Sequence, residues 1–230
     1  MNVVLAADAA WGGMGLALVT EQGPTDTAHV RLSGATWRWP ALGRWLDGDV
    51  ARIVADGELL RGAADPPLRL VVEKPPAVYS GVERWNASRQ GHLPSAPAGK
   101  AGNQSATCYG LGRLAGALEW WWIREHPDLG YPWLVEPREW RTWMKVGGTG
   151  RVARKRAAVQ LCRLAGWGRF LDPFPWDDAP EHAGGAMGDV AEAVLLGVGA
   201  ARNATLAPPG PRRPRAAPTP TVPTRPTRSP

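Results

Sequence analysis

Four acidic residues have the types and positions that a metal-dependent reaction would need. Asp8 ends one apolar run of the chain and Glu73 ends another. Carboxylates at the open ends of neighbouring strands can converge on one point. Asp189 and Glu192 are three residues apart, so on a helix they share a face and can reach the same point together. We therefore treat these four residues as one candidate site.

The chemistry of such a site follows from its charge. Four converging carboxylates repel one another unless a divalent cation neutralises them, and hard oxygen ligands of this kind suit Mg²⁺ or Mn²⁺. Two ions about 4 Å apart would activate a water molecule on one side of a phosphodiester and stabilise the leaving oxygen on the other. Taken singly, each acid also has a structural explanation, as a solvated strand end or as an acid favoured near a helix N-terminus.

A β-hairpin would have to position Asp8. Residues 2–8 and 14–20 are apolar runs separated by a glycine-containing turn, which predicts two antiparallel strands, and residues 27–32 would complete a meander. Residues 42–60 have helical spacing interrupted at Gly48, so we expect one helix or two short ones there. Residues 68–73 form a strongly β-forming run that ends at Glu73 and stops at two prolines.

The second half of the chain alternates helices and strands. We predict a helix over 104–126, a strand over 132–136, a short helix over 137–144, a helix over 151–165 and a last helix from about 187 to 203. Residues 77–103 are rich in Gly, Ser, Pro and Arg, which favours a functional loop. The order of elements predicts the α/β class, with a mixed five-stranded sheet flanked by helices.

Length and charge bound the organisation. The 230 residues allow one α/β domain, which we place at 1–206, followed by a tail at 207–230 that is rich in Pro, Thr and Arg and is expected to be disordered. The formal net charge is +6, but the tail holds five arginines and no acid, so 6 − 5 leaves +1 for the domain. Any affinity of the domain itself for DNA must therefore come from local basic patches, while the tail could add salt-dependent attraction to phosphates or have no specific role.

Cysteine content and hydropathy exclude some classes of protein. Cys108 and Cys162 belong to no closely spaced Cys or His cluster of the kind that binds zinc, so we expect buried thiols in a reducing compartment. No apolar stretch reaches 18 residues, and the first eight residues do not form a signal peptide. We expect a soluble cytoplasmic protein with no membrane association.

Three acidic segments resemble the RuvC-type Holliday junction resolvases, which belong to the ribonuclease H-like superfamily. Residues 4–8 (Val-Leu-Ala-Ala-Asp), with the glycine turn and second strand, resemble the first family motif. Residues 70–73 (Leu-Val-Val-Glu) resemble the second. Residues 188–197, in which two acids three apart precede an apolar helix, resemble the closing motif. The segments occur in the family's order over most of residues 2–203, and the resemblance implies a ribonuclease H-like fold.

Two further segments resemble the part of the family where basic residues approach the scissile strand. They are residues 135–140 and residues 145–150, followed by Lys155. A lysine at this point could contact a phosphate and also steady the charge that develops on it, so Lys155 is predicted to be both catalytic and DNA-binding.

The resemblance also implies a specific activity. Asp8, Glu73, Asp189 and Glu192 would bind two Mg²⁺ ions, with Mn²⁺ able to substitute. Water would attack a DNA phosphate and leave products with 5′-phosphates. The chain would act as a homodimer on four-way (Holliday) or other branched DNA, because such a junction has near two-fold symmetry, and would serve recombination or repair.

Two features depart from the family pattern. Glu192 stands where many relatives have aspartate, and prolines follow Glu73 where the family often has an aromatic residue that unstacks a base. Tyr79 or Trp85, in the long loop, is the candidate to stack on an unpaired base instead. The predicted phosphate contacts are Arg84, Arg89, Lys100, Lys145, Arg151, Arg154, Lys155 and Arg156.

Two less specific features complete the candidate set. His182 precedes the last acidic motif and is a candidate for proton transfer, although a lone histidine in a glycine-rich loop is more often simply exposed. The run of three tryptophans at 120–122 spans too much of a helix to lie in one core, so we expect its outward members to form a dimer interface.

Three other functions fit parts of the sequence. Another ribonuclease H-like nuclease, acting on flaps or RNA-containing duplexes, would use the same metal site. A sugar kinase or actin-like protein would need two related domains around its nucleotide, for which the chain is too short. A branched-DNA-binding module without activity is the remaining alternative, but it would gain nothing from four acids facing DNA.

Overall fold

A computed structural model describes residues 1–10, 13–31, 39–62, 65–74, 112, 114–177 and 184–206. Five strands form one sheet in the order β3-β2-β1-β4-β5. Their bounds are β1 Val3–Ala10, β2 Gly13–Thr20, β3 Gly23–Arg31, β4 Arg69–Glu73 and β5 Trp133–Val135. Strand β2 runs antiparallel to β1 and β3, whereas β1, β4 and β5 are mutually parallel. The predicted α/β class, with a mixed five-stranded sheet flanked by helices, is confirmed.

The helices match the predicted segments with shifted ends. They are α1 Trp39–Trp45, α2 Ala51–Leu60, α3 at 114–125, α4 Pro137–Met144, α5 Arg151–Leu164 and α6 Gly185–Arg202. The interruption predicted near Gly48 is a π-helical segment, Leu46–Val50, between α1 and α2. Helix α6 begins two residues earlier than predicted, and β3 begins at Gly23 instead of near residue 27. Strand β1 continues to Ala10, so Asp8 lies within the strand and not at its end as predicted.

The sheet separates two apolar cores because its strand residues alternate between faces. Val4 and Ala6 of β1 pack with α4, α5 and α6 on one face, and Leu5 and Ala7 pack with α1, α2 and α3 on the other. Helix α6 is buried almost throughout its length and lies against β1 and β2. The four predicted acids belong to the α6 side of the sheet.

The three tryptophans at 120–122 on α3 differ in burial. Trp121 and Trp122 are both buried in the second core, and Trp121 Nε1 donates a hydrogen bond of 3.0 Å to Asp47 Oδ1. Trp120 is 61% exposed. Only one member of the run therefore points outward.

Two other expectations concern burial and hydropathy. Cys162 is a buried free thiol, and burial raises its pKa to about 12; Cys108 lies outside the described residues, as does the 207–230 tail. Among the helices of the described residues, none is both long and apolar enough to cross a membrane.

Candidate active site

The sheet register aligns site residues in one row across neighbouring strands. Asp8 pairs with Gly15 of β2, and Gly15 pairs with His29 of β3. On the other side, Ala7 pairs with Val72, so Asp8 and Glu73 each follow directly after that pair. Residues in one row share a face of the sheet, which brings Asp8, Glu73 and His29 to the side that α6 covers.

Helix α6 adds two more acids because it approaches the sheet at a glycine. A Cβ on Gly15 would lie 2.4 Å from the backbone carbonyl atoms of Asp189, so only glycine permits this approach. Asp189 and Glu192 share one face of α6, and both are buried, as is Asp8. The four acids that the sequence predicted are therefore gathered near the carboxyl ends of the neighbouring strands β1 and β4.

Two cations lie among these acids. Lys155 of α5 is 3% exposed; its Nζ bonds to Asp189 Oδ1 and lies 3.6 Å from Glu192 Oε2. Arg141 of α4 bridges Glu73 and Glu192, with its Nη2 at 3.6 and 3.7 Å from their carboxylate oxygens. Four carboxylates and two cations leave a formal charge of −2 on the site when His29 is neutral.

Glycines at the start of α6 make room for Lys155. A Cβ on Gly184 would lie 2.5 Å from Cδ of Lys155, and one on Gly188 would lie 2.8 Å from the same atom. Gly184 also has a φ of +92°, which side chains other than glycine rarely adopt. The glycine before Asp189 thus lets the lysine stem pass beside α6 and reach the acids.

Burial and charge give the four acids different proton affinities. Burial, together with the charges on Glu73 and Glu192, raises the pKa of Asp8 well above its ordinary value. Burial and the charge on Glu192 likewise raise the pKa of Glu73 to about 7, although Arg141 and Trp140 favour its ionised form. Buried carboxylates that repel one another favour their protonated forms, and a bound divalent cation would instead stabilise their ionised forms.

Asp189 behaves in the opposite way. Burial alone raises the pKa of Asp189, but hydrogen bonds from His29 and Lys155 outweigh burial, so this pKa lies below its ordinary value. Burial lowers the pKa of Lys155, but the charges on Asp189 and the other acids outweigh that effect and raise it. Asp189 and Lys155 therefore form a charged pair inside the site.

Three residues of the site were not predicted as site residues. They are His29, whose Nε2 lies 3.1 Å from Asp189 Oδ2; Trp140, whose Nε1 donates a 2.6 Å hydrogen bond to Glu73 Oε2; and Arg141. Trp140 and Arg141 lie on the short helix that the sequence did predict, and Trp140 ends the segment whose family resemblance was noted. No pattern in β3 singles out His29, because its place depends on strand register.

The predicted DNA contacts fall into two groups. Lys155 is buried with the acids, so it does not lie on a solvated helix face, whereas Lys145, Arg151 and Arg156 are exposed and Arg154 is partly exposed. Arg151 and Arg156 line an open groove along the first turns of α5. The other predicted contacts lie outside the described residues, as does His182; they are Tyr79, Arg84, Trp85, Arg89 and Lys100.

The four acids supply oxygen donors suited to a divalent cation. Carboxylate oxygens are the ligands that Mg²⁺ and Mn²⁺ prefer, and the site carries unbalanced negative charge. In the described part of the chain, however, no three His, Cys, Asp or Glu side chains stand arranged to hold a metal ion. The carboxylates are therefore suitable ligands for a divalent cation, but in this structure Lys155 and Arg141 form ion pairs with three of them.

Comparison with known proteins identified similar solved structures. The RuvC of T. thermophilus in complex with a Holliday junction substrate has 15% sequence identity and a TM-score of 0.47, over 90% of this chain and 98% of that one. A second structure, Thermus thermophilus RuvC, has 16% identity and a TM-score of 0.47, over 89% of this chain and 98% of that one. No family model matches the sequence, and no curated protein matches it.

Proposed function

We propose that this protein is a metal-dependent endodeoxyribonuclease that resolves four-way or other branched DNA junctions. The observation that carries the proposal is the convergence of four acids from β1, β4 and α6, of which Asp8, Asp189 and Glu192 are buried and Glu73 is partly buried. A fold gains no stability from carboxylates concentrated in this way, since burial without compensation is costly. Such a cluster is typical of a functional site.

In the proposed reaction, Asp8, Glu73, Asp189 and Glu192 would hold two Mg²⁺ ions, and the metal would supply an activated water and charge stabilisation at the phosphate. Lys155 keeps Asp189 ionised and holds it in place. Arg141, whose side chain is 22% exposed, stands between the acids and solvent, where a guanidinium can pair with a phosphate oxygen.

Binding of DNA would use the cations beside this site. Lys145 caps the C-terminal end of α4, and Arg151, Arg154 and Arg156 occupy the first turns of α5, the helix that carries Lys155 into the site. Cations spread over neighbouring helices suit phosphate contacts, which position a nucleic acid without reading its sequence. The proposed preference for junctions rests on the resemblance of the acidic and basic segments, in their order along the chain, to the RuvC-type resolvases.

We further propose a homodimer formed through α3. Trp120 is 61% and Ile123 is 39% exposed, and their spacing of three places them on one side of the helix. Exposed aromatic residues are enriched at interfaces. Paired active sites would suit the two symmetric cuts that a junction requires.

The test is cleavage of a labelled synthetic four-way junction, beside linear duplex, flap and RNA-containing controls, in Mg²⁺, in Mn²⁺ and in EDTA. Asp8→Asn removes one charge with almost no change in shape, and Asp172→Asn makes the same change at an exposed acid outside the site. We expect symmetric nicks that require metal, disappear in Asp8→Asn and persist in Asp172→Asn.

The other outcomes distinguish the alternatives. Cleavage confined to flaps or RNA-containing duplexes would retain the metal site and replace the substrate. Junction binding without cleavage in either metal would overturn the nuclease and favour a DNA-binding module. Cleavage that survives in Asp8→Asn would remove the four-acid site from the mechanism.

A further inference from the structure

We propose that His29 is a positioning residue that holds Asp189 ready for a divalent cation, so that the third strand of the sheet is part of the active site. The inference rests on the proposed metal-dependent function and goes beyond it, because the proposed ligands come from β1, β4 and α6 alone. His29 belongs to β3, two strands away from Asp8.

The two oxygens of Asp189 have different partners on opposite sides. Lys155 of α5 bonds to Oδ1, and His29 Nε2 lies 3.1 Å from Oδ2. The side chains of His29 and Asp189 are each 8% exposed, so water cannot easily replace the histidine. An ionised carboxylate only accepts hydrogen bonds, and therefore Nε2 carries the hydrogen in this contact.

The strand arrangement leaves a place for this contact. Gly15 separates Asp8 from His29 in the row across β1, β2 and β3, and the backbone of Asp189 lies directly over Gly15. A Cβ on Gly13 would lie 2.8 Å from Cε1 and 2.9 Å from Nε2 of His29. Two glycines of β2 thus make room for the imidazole and for the helix that it meets.

His29 adds a contact to the second carboxylate oxygen of Asp189, which Lys155 alone does not provide. A single ammonium contact leaves a carboxylate free to turn about its side-chain torsions, whereas contacts to both oxygens restrict its orientation. Groups that hold a metal ligand in this way typically contribute about 10-fold to 100-fold to metal affinity. His29 would act through Asp189 and would not touch the DNA.

The experiment compares four variants by calorimetric titration with Mn²⁺, by junction binding in EDTA and by cleavage kinetics. His29→Phe keeps a ring and loses the hydrogen-bond donor. His29→Gln keeps an N–H donor at a similar distance from the backbone. His29→Asn keeps an N–H donor on a side chain that is too short to reach Asp189. His126→Phe is the matched control, because it replaces a part-buried imidazole whose Nε2 has no hydrogen-bond partner among the described residues.

We expect His29→Phe and His29→Asn to weaken Mn²⁺ binding by about tenfold or more and to lower kcat, with junction affinity unchanged. His29→Gln should recover most of the loss, and His126→Phe should bind Mn²⁺ like the wild type. In an Asp189→Asn background, His29→Phe should have no further effect on Mn²⁺ binding, because the two residues act as one unit.

The results separate this inference from the proposed function. If the wild type binds Mn²⁺ and cleaves junctions but His29→Phe and His29→Asn match it, the inference fails and the nuclease stands. If the wild type neither binds Mn²⁺ nor cleaves, the proposed function itself fails. If His29→Phe does not fold, as judged by circular dichroism, the comparison of His29→Gln with His29→Asn decides the question.

Discussion

Trp140 and Glu73 are joined by a hydrogen bond of 2.6 Å from the indole Nε1 to Oε2. Trp140 is fully buried on α4, and Glu73 ends β4, so this bond ties the orientation of the carboxylate to a rigid side chain. The other carboxylate oxygen, Oε1, lies 3.6 Å from Arg141. Glu73 is therefore oriented by two consecutive residues of one short helix.

Replacement of Trp140 by Phe should weaken metal binding and cleavage while the fold survives. The variant keeps most of the buried ring but loses the N–H donor, and loss of a group that orients a metal ligand typically costs about tenfold or more in affinity. Calorimetric titration with Mn²⁺ and the dependence of cleavage rate on Mg²⁺ concentration measure the effect. Trp143→Phe, at a tryptophan that lies against Trp133, is the control; equal losses in both variants would contradict the role of the hydrogen bond.

The metal-free protein should lose stability as pH rises from about 4.5 to about 7. The pKa of Glu73 is raised from 4.5 to about 7 in the fold, so over this window the folded state binds the proton more tightly than the unfolded chain does. Stability from this group is complete below about pH 4.5, falls through the window and levels off above it, by a total on the order of 3 kcal/mol.

Urea unfolding in EDTA across this pH range tests that expectation. Glu73→Gln cannot ionise and should flatten the curve over the same window, although Asp8, whose pKa is also raised, retains part of the slope. A wild-type curve that rises between pH 4.5 and 7 would show that Arg141 and Trp140 outweigh burial at Glu73.

A pair of Gly→Ala substitutions should have opposite effects on stability. At Gly15 a Cβ would meet the backbone of Asp189 at 2.4 Å, so α6 must move away from the sheet, at a cost of about 1 to 3 kcal/mol. At Gly43 of α1 a Cβ meets no described residue within 4 Å, and alanine should stabilise the helix by about 0.5 to 1 kcal/mol. Thermal unfolding measures both changes in stability. Gly15→Ala should also abolish cleavage. A Gly15→Ala variant with wild-type stability and cleavage would refute the close approach of α6 to β2.

Replacement of the exposed Trp120 by Glu should disrupt the proposed dimer without unfolding the monomer. Trp120 contacts Arg124 at 4.4 Å and otherwise points outward, whereas a charge at an apolar interface is costly. Analytical ultracentrifugation should show a shift from dimer to monomer. Leu164→Glu, at a residue 78% exposed on α5, should leave the dimer intact; monomeric wild-type protein would exclude the α3 interface.

Local patterns in the sequence predicted the elements and, together with the family resemblance of their segments, the four acids. Period-two and helical spacing are properties of neighbouring residues, so they locate strands and helices before any tertiary contact exists. The acids were found because Asp8 and Glu73 end apolar runs and Asp189 and Glu192 share a helix face, although β1 continues past Asp8 to Ala10. The structure confirms the α/β class and brings these acids together, whereas the metal ions, the DNA substrate and the dimer stay predictions.

The tertiary structure decided which other residues join the acids. In β3, the pairing with β2 shifts between Leu18 and Val19, where Thr25 is the extra residue and its Oγ1 donates a hydrogen bond to Leu18 O. Without this bulge Gly15 would pair with Ala28 instead of His29, and every later side chain of β3 would change face. Trp140 and Arg141 likewise reach Glu73 only through the packing of α4 on the sheet. Such contacts depend on register and on long-range packing, which are set by the whole fold and leave no local pattern in the chain.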